Sequence, residues 1–192
     1  MKKIAVFASG NGSNAVNLIE YFENHPKYRV TLLLCNKKDA PVIKKAEDRG
    51  VKTKILDKTE FYQKSSTLDF LREEEISFIV LAGFLWLVPE YIIKTYENKV
   101  INIHPALLPN YGGPGMYGMK VHRAVIENRE QVSGITIHFA NESYDEGQRI
   151  FQAKCKVVPD EDSPEALAGK IKILEQNYFP VVTESVMDKI YS

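Results

Sequence analysis

The chain has 192 residues, of which 44 % are hydrophobic and 26 % charged, so it carries enough apolar material for a real core and is neither a disordered nor a fibrous sequence. Twenty-five Lys plus Arg balance twenty-five Asp plus Glu, which argues against a general nucleic-acid binder held by phosphate attraction. Two cysteines without a Cys-x-x-Cys pair, four scattered histidines, a longest apolar stretch of only 78–88 and an N-terminal apolar run of about five residues exclude a disulfide scaffold, a zinc cluster, a membrane span and a signal peptide. A reducing cytoplasm is the default compartment.

Ile4 to Ala8 reads as a buried strand, followed by a Gly/Ser/Asn turn. Ala15, Leu18, Ile19 and Phe22 then fall on one helical face. Val30 to Cys35 is a second buried strand, and Pro41 to Arg49 a helix with Pro in its first turn and Gly50 past its end. Val51 to Leu56 reads as a strand and Phe61 to Glu74 as one helix. Ser77 to Ala82 and Val100 to His104 are further apolar strands, with a helix from Pro89 to about Tyr96 between them. This alternation predicts βαβ units and a parallel sheet. Gly134 to Ala140 and Arg149 to Val158 alternate instead, which suits half-exposed antiparallel strands near an edge. Ser163 and Pro164 open a last helix that Pro180 should kink or break. No linker or repeat interrupts the chain, so 1–192 reads as one α/β domain.

In such a sheet ligands bind beyond the carboxyl ends of the strands, where three segments converge. Ser9-Gly10-Asn11-Gly12-Ser13-Asn14 can turn backbone N–H groups and a helix N-terminus toward a phosphate, or be no more than a tight turn with a cap. Its spacing is not that of a dinucleotide fingerprint. Asn102 and His104, two apart at a strand end, present an amide and an imidazole on one side, as oxyanion stabilisation and proton transfer require. The segment 141–147 offers Glu142, Asp145 and Glu146, one of which can hold a charged His104. Trp86, with Phe84 and Leu85, can be plain core; His25, His122 and His138 read as structural.

SGNGSN, LAGF at 81–84, NIHPALLP at 102–109 and Tyr-Asp-Glu-Gly at 144–147 together resemble the folate-dependent formyltransferase family, and within it the phosphoribosylglycinamide formyltransferases of purine synthesis. The resemblance runs from Ile4 to about Pro180. It implies a Rossmann-like open twisted sheet, mostly parallel with antiparallel strands in the C-terminal part and helices on both faces. It also implies transfer of a formyl group from 10-formyltetrahydrofolate to the amine of 5′-phosphoribosylglycinamide, with small-molecule substrates, no metal, no nucleic acid, no membrane, and a monomer or homodimer. Asn102, His104 and Asp145 match the family's catalytic trio. Gly12, Ser13 and Asn14 match its phosphate loop, Glu175 a glutamate on the glycinamide substrate, and Pro109 a residue closing that site. Leu85, Trp86, Leu87 and Val88 match one folate wall, Asn141 and Glu142 belong to the other, Asn102 borders it, and Lys64 stands near a folate-binding Arg.

Trp86 replaces the Arg of many relatives, and Gly112 to Gly118 is an unusual glycine-rich loop that reads as a mobile lid. The relative that formylates methionyl-tRNA carries a further C-terminal RNA-binding domain, and a formyl-folate hydrolase usually an N-terminal regulatory one; a chain running from the first strand at Ile4 to Ser192 fits neither. Sugar-nucleotide formyltransferases generally lack SGNGSN. A non-catalytic nucleotide-binding module would need the loop but not the trio.

Overall fold

The computed structural model describes every residue except Lys64, so the folate-side role expected there lies outside the described residues. Seven strands form one sheet in the order β3-β2-β1-β4-β5-β6-β7. The first five, β1 (Lys2–Ala8), β2 (Tyr28–Cys35), β3 (Lys52–Ile55), β4 (Ile76–Leu81) and β5 (Val100–His104), run parallel. β6 (Val132–Phe139) and β7 (Arg149–Lys156) complete the sheet antiparallel. The unbroken apolar runs of β1, β2 and β4 are what strands covered on both faces require.

Side chains alternate across the sheet and feed two cores. One gathers Val6, Leu33, Val80 and Ile103 with residues of α1 (Ser13–Tyr21), α2 (Pro41–Glu47), α6 (Met119–Glu127) and α7 (Pro164–Tyr191). The other gathers Phe7, Leu34, Ile79 and Val100 with residues of α3 (Lys58–Gln63), α4 (Ser66–Glu73) and α5 (Glu90–Thr95). β1 has β2 on one side and β4 on the other, so the connections leave it in opposite directions and open a crevice at the carboxyl ends.

Three expectations are corrected. The stretch 61–74 is two helices, not one. Asp57 Oδ1 accepts from Glu60 N at 3.0 Å and starts α3 early, and Ser65 supplies the N-cap position for α4. β6 is buried from Ser133 to His138, not half-exposed, because β7 rather than β6 forms the edge. α7 runs 28 residues through Pro180 without a break. Proline leaves the carbonyl of Gln176 without its helical donor, and the Asn17 side-chain amide donates to that oxygen at 2.9 Å. The Ser163 cap stands as expected, accepting from Ala166 N at 3.1 Å.

Candidate active site

A cavity of about 520 Å³ lies across the carboxyl ends of β1, β4 and β5. The turn after β1 is built on Gly12, whose φ of 78° is left-handed and where a Cβ would collide with Val42 of α2. Lys45 Nζ donates to Asn11 O at 2.8 Å and steadies the turn. Ser9 joins it to the next segment: its Oγ accepts from Leu85 N at 2.9 Å, and its N–H donates to Gly83 O at 3.2 Å.

The centre of the cavity is a hydrogen-bonded cluster. His104 Nε2 donates to Tyr111 O at 2.7 Å, which turns Nδ1 toward Asp145 Oδ2 at 3.4 Å. Asn102 Nδ2 lies 3.1 Å from His138 Nε2 and donates to Asp145 Oδ1 at 3.3 Å. The other Asp145 oxygen accepts from Gly113 N at 3.0 Å. Tyr111 and Asp145 both have left-handed φ, 58° and 59°, a strain that persists only where surroundings enforce it. Below them, Thr136 Oγ1 accepts from Leu108 N and donates to Ala106 O, and Arg149 and Gln152 donate to Leu108 O, which fixes the turn after His104.

Burial lowers the pKa of His104; the Asp145 charge and the Tyr111 carbonyl raise it, and burial wins. The expectation that a carboxylate here favours a charged His104 holds for Asp145 in direction, and burial outweighs it. Burial pushes the Asp145 carboxyl up, but the His138 ring, the His104 charge and the Gly113 N–H pull it below the ordinary value. Asp145 is therefore ionised. Burial raises the pKa of Glu175 despite the Asn14 amide facing it.

Asn102, His104, Asp145, Asn14, Glu175, Leu85, Trp86, Leu87, Val88 and Asn141 all line this cavity. Gly12 and Ser13 do not; they shape the turn behind Asn14. Glu142 does not line it and is exposed. Pro109 does not line this cavity but an adjoining one of about 370 Å³, with Glu146 and Arg149, which shares Gly113, Tyr144 and Asp145 with it. His138, read as structural, is buried within the cluster, and Lys37 also lines the cavity. Pairing of β6 with β5 sets His138 opposite Asn102, a signal available only once the register is known. Among the described residues no group of three or more His, Cys, Asp or Glu could hold a metal ion, and no helix is long and apolar enough to cross a membrane.

The formyl transferase family profile matches residues 2–183. The chain belongs to the formyl transferase family. It is 37 % identical over 194 residues to the chloroplastic phosphoribosylglycinamide formyltransferase of Arabidopsis thaliana, covering 98 % of this chain and 66 % of that protein. The corresponding Vigna unguiculata protein is spanned for 62 % of its length. The Bacillus subtilis phosphoribosylglycinamide formyltransferase is 33 % identical over 192 residues, covering 97 % of this chain and 95 % of that one. The crystal structure of the Bacillus halodurans phosphoribosylglycinamide formyltransferase superposes with a TM-score of 0.87 at 30 % identity, over 98 % of this chain and 97 % of that one.

Proposed function

We propose that this chain transfers the formyl group of 10-formyltetrahydrofolate to the primary amine of 5′-phosphoribosylglycinamide, a step of de novo purine synthesis. In this reading 1–192 is one catalytic domain with small-molecule partners. The reduced cysteines Cys35 and Cys155 suit the cytoplasm. The observation that carries the reading is one cavity with Asn102, His104 and Asp145 at its centre, an apolar segment on one side and polar helix residues on the other. The relatives, named for formyl transfer to phosphoribosylglycinamide, support the acceptor.

The pteridine lies against Leu85–Val88, and the phosphate faces the turn at Asn14 with Lys37 nearby. The amine nitrogen attacks the formyl carbon and forms the new C–N bond, placing negative charge on the formyl oxygen. Asn102 exchanges one of its present acceptors for that oxygen. The proton that the amine gives up is taken by His104 at Nδ1, the side that Asp145 already faces, and is held there while the charge develops. Collapse breaks the bond to the folate N10, and the proton lost by the amine moves to that nitrogen through Asp145 and a held water.

The deciding measurement is tetrahydrofolate release from 10-formyltetrahydrofolate with and without glycinamide ribonucleotide. Release should require the amine and match N-formylglycinamide ribonucleotide formed. Release without it would make the protein a hydrolase, and none in either case would end the reading.

A further inference from the structure

His122 plays no part in the chemistry above, yet it is buried in the first turns of α6 and forms part of the cavity wall. Its Nδ1 is closed off from solvent and has no hydrogen-bond partner. A buried polar atom left unpaired is costly, and at a ligand site it marks a partner that arrives with the ligand. The Oδ1 of Asn14 is orphaned in the same way, and it lines the same cavity from α1. α7 packs against both α1 and α6 and contributes Glu175, a half-buried carboxylate facing the Asn14 amide. Three helices on one face of the sheet thus bring two unpaired polar atoms and a carboxylate to one side of the cavity.

We infer that His122 is a substrate-binding residue that reads the pentose hydroxyls of the ribonucleotide. The inference rests on the proposed substrate. A hydroxyl both donates and accepts, so it can satisfy a neutral imidazole on one side and the Asn14 oxygen or Glu175 on the other. A phosphate only accepts at neutral pH, so it would leave the orphaned Asn14 Oδ1 without a donor. Burial and the neighbouring His104 both lower the pKa of His122, which keeps the ring neutral as hydroxyl recognition needs. A ring that acted on the formyl group would instead have to join the Asn102–Asp145 cluster, and it makes no bond there.

The test is KM and kcat for glycinamide ribonucleotide and its 2′-deoxy and 3′-deoxy analogues, with wild type, His122→Ala and His122→Asn. Wild type should discriminate against at least one deoxy analogue by roughly 10-fold or more, because its site leaves a buried group unpaired. His122→Ala should lose most of that discrimination, raise KM for the ribonucleotide, and leave kcat and binding of a folate analogue within a few-fold. His122→Asn, which keeps a donor and an acceptor near the Nδ1 position, should recover part of it and serves if alanine does not fold. Unchanged discrimination in folded His122→Ala, or, if that variant does not fold, undiminished discrimination in His122→Asn, overturns the assignment. Loss of folate binding in step with ribonucleotide binding would make His122 a packing residue only. If wild type binds the folate analogue but forms no formylated ribonucleotide, the proposed function falls first and takes this inference with it.

Discussion

Two opposed forces act on His104. Burial favours the neutral ring, and the Asp145 carboxylate at 3.4 Å favours the charged one. The balance makes the pair responsive to charge arriving with the substrates. Asp145→Asn removes the carboxylate that raises the pKa of His104, so that pKa should fall further, read by NMR titration of the ring. Turnover should drop by roughly 100- to 10,000-fold, the usual loss when acid–base assistance goes, with ligand affinities kept. His104→Ala should behave alike, and the double variant should be little worse than either single. A pKa that rises, or near-normal turnover, would move the acid–base role elsewhere. The stability signs follow. The folded pKa of His104 lies below its ordinary 6.5, so its contribution is complete above that value and is lost as pH falls through the folded one. Glu175 is the reverse case: its folded pKa lies above 4.5, so stability rises as pH falls through the folded value toward 4.5. Glu175→Gln should therefore raise Tm more at pH 8 than at pH 4.5 while weakening ribonucleotide binding. A Tm gain that does not depend on pH would show that the carboxylate is not strained.

At the scale of elements, the inner parallel strands β1, β2, β4 and β5 were legible because burial on both faces forces an apolar run, as in Leu32-Leu33-Leu34. β6 was not, because Thr136 and His138 look like solvent-facing positions. They are buried on bonds to Ala106 O and the Phe139 carbonyl and beside Asn102, partners that no local pattern announces. α7 was misread for the same reason, since the donor that replaces the lost proline N–H comes from Asn17, 159 positions away in sequence. This yields a coupled prediction. Asn17→Ala should cost about 1 kcal/mol, the net value of a typical hydrogen bond, since water can reach this exposed acceptor. In a Pro180→Ala background the helix regains its own donor, so the same change should cost much less. Denaturant unfolding of the four proteins measures the cycle, and equal costs in both backgrounds would show that the Asn17 bond does not compensate for the proline.

For the molecule as a whole, the two cores supply the two sides of the cavity. Trp86 packs on Phe61, Tyr62 and Phe84 at ring distances of 5.6, 5.9 and 6.2 Å, extending the core that carries Phe7 and Ile79. Asn14, His122 and Glu175 come from helices over the other core. The motifs told which segments meet at the sheet edge; that Gly12 and Ser13 stand behind the cavity while Lys37 stands in it depends on the α1–α2 packing, which periodicity does not contain. The division predicts that the two ligands can be weakened separately. Trp86→Ala removes a large flat surface from the folate side and should raise the KM for 10-formyltetrahydrofolate by roughly 10-fold or more, as loss of a buried aromatic anchor does. The ribonucleotide KM should move less than about threefold, since Trp86 shares no hydrogen bond with the polar side. Asn14→Ala should do the opposite, with some loss of stability because the amide facing the buried Glu175 carboxylate goes with it. A valine at Gly12 would not serve, since its collision with Val42 disturbs α1 and α2 before any ligand is read. Isothermal titration of each folded variant with a folate analogue and with glycinamide ribonucleotide decides the matter. Parallel losses for both ligands in both variants would mean that the cavity is a single recognition surface, and that Ser9, which bonds across the two segments, couples them.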